Sequence, residues 1–351
     1  MRIVVVGASG NAGTSVLRSL SRDPAVDSIV GIARRLPELY EPKTDWAQAD
    51  ISRDALTPLF RGADVVIDLA WLIQPGRDLA TLRATNVDGS QRVFEAVAEA
   101  GVPALVYASS VGAYSPGPKD RHVDESWPAG GIESSFYSRH KAEVERILDR
   151  YEREHPSIRV VRLRPALIFK REAASGIRRL FAGPLLPSRL VRRSLIPVVP
   201  RTPRLCFQAV HSYDVGEAYR LAALSDARGA FNIASEPVID RAVLAELLGA
   251  RPLPVPASVL RAGAQLSFKL RLQPTEPGWV DMALAVPLMD VSRAHDELGW
   301  EPLHDAPEAL MELLDGIRTR AGIDTPPLAP DSGGPLRVRE LLTGVGRRAG
   351  L

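Results

Sequence analysis

The stretch VVVGASGNAGTSVLRSL, residues 4–20, decides the fold. A run of valines leads straight into glycines at 7, 10 and 13, and an apolar-periodic segment follows. That order reads as a strand, a tight loop and a helix. Glycines spaced G-x-x-G-x-x-G let backbone amides come close to a pyrophosphate and let the helix pack on the strand, while the helix N-terminus adds partial positive charge. Gly7, Gly10 and Gly13 are therefore candidate cofactor contacts, with Ser9 and Asn11 between them. The bland alternative is a tight turn that binds nothing. No Gly-Lys-Ser/Thr follows, so this is not a nucleoside-triphosphate loop.

Working outward, the first half of the chain alternates short Val- and Ile-rich runs with helical patterns, as a parallel sheet with crossover helices requires. The strands read as Arg2 to Val6, Ser28 to Ala33, Asp64 to Ala70, Ala104 to Ser109 and Ile158 to Arg164, with a later one from Ala230 to Ser235. A helix over TNVDGSQRVFEAVAEAG ends at Gly101, and Asp214 and Glu217 have capping-box spacing at the start of another. The expected class is α/β, a Rossmann-type doubly wound parallel sheet with a smaller C-terminal substrate-binding region. Residues 1–164 and 205–241 are expected to form the dinucleotide-binding domain, and residues 165–204 and 242–320 the substrate-binding region. Between Pro165 and Phe207 the chain is rich in proline and arginine and reads as a cover over a site. The Pro- and Gly-rich stretch 321–351 reads as a loosely held tail with one short helix at LRVRELL.

Composition narrows the function. With 351 residues, 45% hydrophobic and 25% charged, the chain can bury a large core. Its 44 basic and 42 acidic residues nearly cancel, so no overall field draws it to nucleic acid or an anionic membrane. A lone cysteine, Cys206, rules out an intramolecular disulfide and a multi-cysteine metal site, and no metal is expected. It reads most simply as a small buried hydrophobe. The N-terminal apolar run is too short for a signal-peptide core or a membrane span, and a cytoplasmic protein is expected.

The end of the second strand bears on the cofactor. An acid there would bond the adenosine ribose of NAD, but the sequence is GIARR, and Arg34 and Arg35 favour the 2′-phosphate of NADP over NAD. Asp50 and Ile51 are placed to cap the adenine edge, or simply to form a turn.

The chemical end lies in ALVYASS and FYSRHKAEVERILDRYERE. Ser109 and Ser110 close a strand at the carboxyl edge, where open parallel sheets bind ligands. In the helix, Tyr137, Lys141, Val144, Leu148 and Tyr151 recur at steps of four and three, which puts a lysine on the inward stripe. A tyrosine acting as a base near neutrality must drop by roughly two to three pKa units, a differential of about 3 to 4 kcal/mol. A unit charge about 4 Å away contributes roughly 1 kcal/mol in water but about 4 kcal/mol at an effective dielectric of 20, so the pair has to be partly buried. The expectation is that Lys141 lowers the pKa of Tyr137. The alternative is a lysine snorkelling to solvent along its stem.

These motifs, together with RLRPALIF, AVHSYDVGEAY, FNIAS and DELGWEP, resemble the extended short-chain dehydrogenase/reductase family, also called the NAD-dependent epimerase/dehydratase family. The match runs in order over most of residues 1–320. The resemblance implies that Tyr137 is the catalytic acid/base, that Lys141 lowers its pKa and holds the nicotinamide ribose, and that Ser110 hydrogen-bonds the reacting oxygen. It also implies cofactor contacts for Gly7, Gly10, Gly13, Asp50, Ala70 and Asn86. Two departures stand out. Val111 and Gly112 follow Ser110 where sugar-nucleotide 4,6-dehydratases carry an Asp-Glu pair, and Phe169, Lys170 and Arg171 replace the usual Tyr-Gly-Pro.

The expected function is NAD(P)-dependent oxidoreduction of a small-molecule carbonyl or hydroxyl substrate, with a homodimer allowed. Alternatives are a redox-neutral sugar-nucleotide epimerase with tightly bound NAD, and a non-catalytic NADP-binding regulatory protein. Arg178, Arg179, Arg189, Arg192, Arg193, Arg201 and Arg204 of the cover are candidates to hold an anionic substrate, against the default of solvated arginine. His211 and Trp71 lie where the family places cleft residues, or are core packing.

Overall fold

The computed structural model describes residues 1–73, 77–181 and 196–330. Seven parallel strands form one sheet: β1 (Arg2–Val6), β2 (Ser28–Ala33), β3 (Thr44–Gln48), β4 (Val65–Asp68), β5 (Ala104–Ala108), β6 (Arg159–Pro165) and β7 (Gly229–Ile233). Their spatial order is β7-β6-β5-β4-β1-β2-β3. Ile3 of β1 pairs with Ile29 on one side and Val65 on the other, so the order reverses at β1, the switch point beside which such sheets bind ligands.

The central strands are apolar on both faces because both are covered. On one face α1 (Asn11–Ser21) and α4 (Ser212–Leu224) bury Val16, Leu17, Leu20, Ala218 and Tyr219 against Val5 and Ile67. On the other, α2 (Gly89–Glu99) and α3 (Phe136–Glu154) bury Phe94, Val97, Val144 and Leu148 against Val66 and Tyr107. Gly101, with φ 70°, ends the second helical run as read from sequence.

Several expectations are corrected. β3 is a strand that the apolar pattern did not announce. Its residues TDWAQ sit at the sheet edge, partly exposed, so nothing requires them to be apolar. Phe207–His211 does not join the large sheet but pairs with Leu167–Phe169 and Ser235–Ile239 in a separate three-stranded sheet. That sheet shares a core of Phe169, Ala209 and Ile239 with Leu310 and Leu313 of the helix Ala306–Thr319. Asp214 does not cap α4. His211 occupies the cap and accepts from Tyr213 N at 3.2 Å, while Asp214 accepts from His304 N at 3.0 Å.

The start of the expected loose tail is packed. Thr325 and Leu328 are buried, and the Leu328 carbonyl accepts from Ser175 Oγ at 3.2 Å. The short helix expected at LRVRELL lies outside the described residues, as do Arg189, Arg192 and Arg193. Among the described residues no helix is long and apolar enough to cross a membrane.

Candidate active site

The glycine loop has the geometry its sequence requires. Gly7 has φ 80°, and a Cβ there would lie 2.8 Å from the Ala70 nitrogen; a Cβ on Gly13 would lie 2.5 Å from the Gly7 carbonyl. Neither position admits a side chain. Gly10 is the N-cap of α1 with no side-chain cap, so the first-turn amides carry no side-chain acceptor. Asn11 donates to the Ile168 carbonyl at 3.1 Å, but its Oδ1 is buried with no partner. Ser9 is partly exposed in this loop.

The residues expected to meet an adenosine follow β2 and β3. Arg34 is half-buried and Arg35 exposed. Asp50 accepts from Ser52 N at 3.0 Å and Ser52 Oγ at 2.7 Å. Those bonds, with Arg34 and Arg53 nearby, outweigh burial and hold its carboxyl below the usual range. Ile51 is buried against Gly89.

The loop after β4 is held by Asn86, which lies in a π-helical turn, Ala84–Asp88. Its Oδ1 accepts from Leu72 N and its Nδ2 donates to Leu72 O, both at 2.7 Å. Asn86 thus clamps the backbone beside Ala70 and Trp71 with both ends of its amide, and those bonds account for its burial. The Ala70 amide donates to Asp68 Oδ1 at 3.1 Å. Asp68 Oδ2 is buried without a partner.

The helix α3 brings the chemical residues together. Ser135 caps it, accepting from Ser138 N, and the Phe136 amide donates to Glu276 Oε1 at 2.8 Å, which ties the helix start to the segment leading into the helix Gly278–Ala285. Ser110 caps the short turn after β5, accepting from Gly112 N at 3.0 Å. The Tyr137 ring packs over Gly112 of that turn, 2.8 Å from where a Cβ would stand, and the Ser110 hydroxyl favours the charged form of its phenol. Aromatic rings enclose that phenol: Trp71 meets it edge-on at 5.8 Å and Trp279 lies tilted at 5.0 Å. Met282, from the helix Gly278–Ala285, completes the wall.

Lys141 does face inward, as its place on the stripe requires, and it does not snorkel. It is 2% exposed. Its Nζ donates to the Ala108 carbonyl at 2.5 Å and sits 3.5 Å from the centre of the Trp71 ring. Burial pulls its pKa down to about 7, against the raising influence of Asp68 and Glu145. Burial likewise pushes Asp68 up to about 7.

The expected lowering of the Tyr137 pKa is not what this arrangement produces. Burial raises the phenol above its usual value, and the Ser110 hydroxyl only partly offsets that. The physical reason is placement: the ammonium is engaged by a carbonyl and an indole face, while the aromatic wall strips water from the phenol.

Sequence reasoning missed Glu145, one turn beyond Lys141. It is 2% exposed, accepts from Ser109 Oγ at 2.5 Å, from Arg162 Nη1 at 2.8 Å and from Arg164 Nε at 2.8 Å. This buried cluster anchors the floor of the site. Its signal was available, since Glu145 follows Lys141 by four residues and so shares its face.

Two of the cover arginines serve the framework. Arg179 donates to Pro327 O at 2.7 Å, and Arg204 to Leu284 O and Gly117 O. Arg178 is buried and Arg201 exposed. Cys206, expected to be buried, is partly exposed and lines an open cleft of about 550 Å³ with Lys119 and Arg204; none of Ser110, Tyr137 and Lys141 lines it. His211 is buried, bonded to Glu312 at 3.1 Å and stacked on His304, whereas Trp71 is in the site.

Comparison with known proteins agrees with this layout. The profile of the NAD dependent epimerase/dehydratase family matches residues 3–194. An uncharacterized protein of Mycobacterium tuberculosis is 29% identical over 328 residues, which are 92% of this chain and 31% of that one. The chain therefore spans about a third of the length of the curated relatives it first matches. The NAD-dependent glucose-6-phosphate dehydrogenase of Haloferax volcanii is 30% identical over 184 residues, 46% of this chain and 66% of that one. Among solved structures, the UDP-glucuronic acid 4-epimerase from Bacillus cereus in complex with NAD superposes with a TM-score of 0.66 at 19% identity, covering 91% of this chain and 99% of that one.

Proposed function

The chain belongs to the NAD-dependent epimerase/dehydratase family, and from that premise we propose that it is a nicotinamide-dependent oxidoreductase acting reversibly at a carbonyl or carbinol carbon. The observation that carries this reading is the convergence of the Ser110 turn, the Tyr137 ring packed over Gly112 of that turn, and a buried Lys141 on the Ala108 carbonyl, at the carboxyl edge of a parallel sheet. The residues fit the cofactor. The side-chain-free cradle at Gly7 and Gly13 and the uncapped start of α1 suit a pyrophosphate, and Lys141, against the Trp71 ring, suits the nicotinamide ribose. Bound there, the nicotinamide ring supplies or accepts the hydride.

The chain's own residues manage the proton. A phenol with a raised pKa is protonated at neutral pH, which is the form that gives a proton to the oxygen of a carbonyl undergoing reduction. The Ser110 hydroxyl, on the turn over which the phenol packs, orients that oxygen. Alcohol oxidation returns the proton along the same path. Trp71, Trp279 and Met282 keep water from the phenol while it does so.

For the cofactor we propose NADP, held through its 2′-phosphate by Arg34 and Arg35. Arg34→Asp is expected to weaken NADPH by about 10- to 100-fold, the range of a lost charge-assisted hydrogen bond, and to leave NADH within about threefold. Equal losses for both dinucleotides in a fluorescence titration would defeat the phosphate assignment.

A second reading, redox-neutral epimerisation, draws support from the fold shared with the Bacillus epimerase. One assay separates the two. The purified chain with NADPH and a panel of carbonyl compounds, with and without anionic groups, is expected to consume one NADPH per carbonyl reduced. Stereochemical inversion of a substrate with no change in absorbance would instead establish the epimerase reading. Neither outcome across sugars, sugar nucleotides and simple ketones would overturn both.

A further inference from the structure

A lysine stands where three influences oppose it. Lys170 is 2% exposed, and its Nζ donates to the Asn11 carbonyl at 2.9 Å, Thr14 Oγ1 at 2.7 Å and Ser15 Oγ at 3.0 Å. All of these belong to the first turn and a half of α1. Three N–H groups are thereby satisfied, but the charge is not: among the described residues no carboxylate lies within 4.0 Å of this ammonium. Hydrogen bonds from neutral oxygens do not repay the desolvation of an ion. The helix makes matters worse, because an N-terminus carries partial positive charge and disfavours a cation.

The surrounding elements give little compensation. Arg18, on α1, is a like charge, and Glu172, on the turn Arg171–Ala173, is the one acid that acts on Lys170. From the start of α4, the Tyr213 ring lies 5.7 Å away and is itself covered by the Arg18 guanidinium at 4.1 Å. On the helix Ala306–Thr319, Glu312 is engaged by His211 and Asp315 by Arg171. Burial, with Arg18, pulls Lys170 down to about 8.

We infer that Lys170 is the buried counter-charge for the cofactor's pyrophosphate, placed under the first turn of α1 so that it strengthens the positive end that receives the phosphates. A second observation points to the same place: Gly10 caps α1 without a side chain, so the first-turn amides meet no side-chain acceptor, beside a loop where Gly7 and Gly13 leave no room for a Cβ. An anion at the helix start relieves all three penalties together. It faces the dipole favourably, pairs with the ammonium across about one helical turn, and lets the ammonium remain charged. This inference rests on the proposed cofactor site, and it assigns to Lys170 a positioning role through charge, with no contact to the reacting atoms.

The test is dinucleotide binding, read without turnover. Titration of the full chain with NADPH, followed by tryptophan fluorescence or calorimetry, should show binding about tenfold weaker in Lys170→Gln at pH 7, since glutamine keeps a donor but not the charge. The gap should close as pH rises well above 8, where the wild-type lysine loses its proton. Near pH 8 wild-type binding should take up a proton, seen as a dependence of the heat on the buffer's ionisation enthalpy, and Lys170→Gln should not. Adenosine, which lacks phosphate, should bind both proteins equally. Wild-type binding without proton uptake near pH 8, or equal NADPH affinity in the two proteins at pH 7, would overturn the inference while leaving the cofactor site standing. Failure of the wild type to bind any dinucleotide would instead bring down the cofactor site itself. Should Lys170→Gln fold poorly, Lys170→Arg decides in its place: its guanidinium stays charged, so it should bind NADPH at pH 7 about as the wild type does but lack the wild type's proton uptake near pH 8, and uptake equal to the wild type's would overturn the inference.

Discussion

Tyr137→Phe is expected to lower kcat by about 10²- to 10⁴-fold, the range for loss of a positioned general acid, and to leave cofactor affinity within about twofold. The substitution removes one hydroxyl and nothing else of the site. The ring keeps its edge contact with Trp71, its contact with Trp279 and its place in the cluster with Ile132, Met282 and Val286. The groups proposed to hold the dinucleotide, namely the Gly7 and Gly13 cradle and Lys141 on the Ala108 carbonyl, are untouched. What disappears is the proposed proton donor. Stability should change little, because the phenol gives up at most a hydrogen bond worth about 1 kcal/mol and leaves the apolar contacts intact. Steady-state rates paired with a fluorescence titration check both halves. Unchanged turnover of every accepted substrate would remove the enzymatic reading and favour a regulatory nucleotide binder. A parallel loss of cofactor binding would show that the ring acts by holding the dinucleotide.

The parts of this site written in one continuous stretch were legible in the sequence, and those assembled from afar were not. The glycine loop, the strands flanking it and the inward lysine each obey a period or spacing visible in a short window, and the structure has each of them where the window put it. β3 escaped because an edge strand need bury only part of its length, so TDWAQ carries no run of apolar residues. Lys170 read only as a departure from the family's usual Tyr-Gly-Pro. Its meaning comes from Asn11, Thr14 and Ser15, more than 150 residues away, which no local pattern reports. The Tyr137 pKa went astray for a related reason. Spacing put the two side chains on one face, but the direction of the ammonium is decided by a carbonyl on β5 and an indole after β4. Helical periodicity names the face of a residue and not the partner that claims its polar end.

Glu145 is where the framework beneath the site is most exposed to a single change. Glu145→Ala should destabilise the fold by about 3–5 kcal/mol, because it leaves the buried guanidinium of Arg164 without its carboxylate. Arg162 keeps Asp149 and Glu152 and suffers less. At the roughly 2–4 °C per kcal/mol typical of chains this long, the melting temperature should fall by about 10 °C. Ser109 would lose its acceptor as well, so β5 and the Ser110 turn loosen together. The pH dependence follows with a definite sign. The hydrogen bonds and charges of Arg164 and Arg162 outweigh burial and hold the Glu145 carboxyl down to about 2, below an unfolded value of about 4.3. A depressed folded pKa means stability that is fully present above about pH 5 and lost as pH falls toward 2, worth about 3 kcal/mol in total with more than half gone by pH 3. Urea midpoints at pH 7 and pH 3 should therefore converge between the wild type and Glu145→Gln as the medium becomes acid. A gap that stays constant would mean that the cluster stabilises through packing and not through its charge. A midpoint at pH 7 unchanged by either substitution would mean that Glu145 is dispensable to the fold.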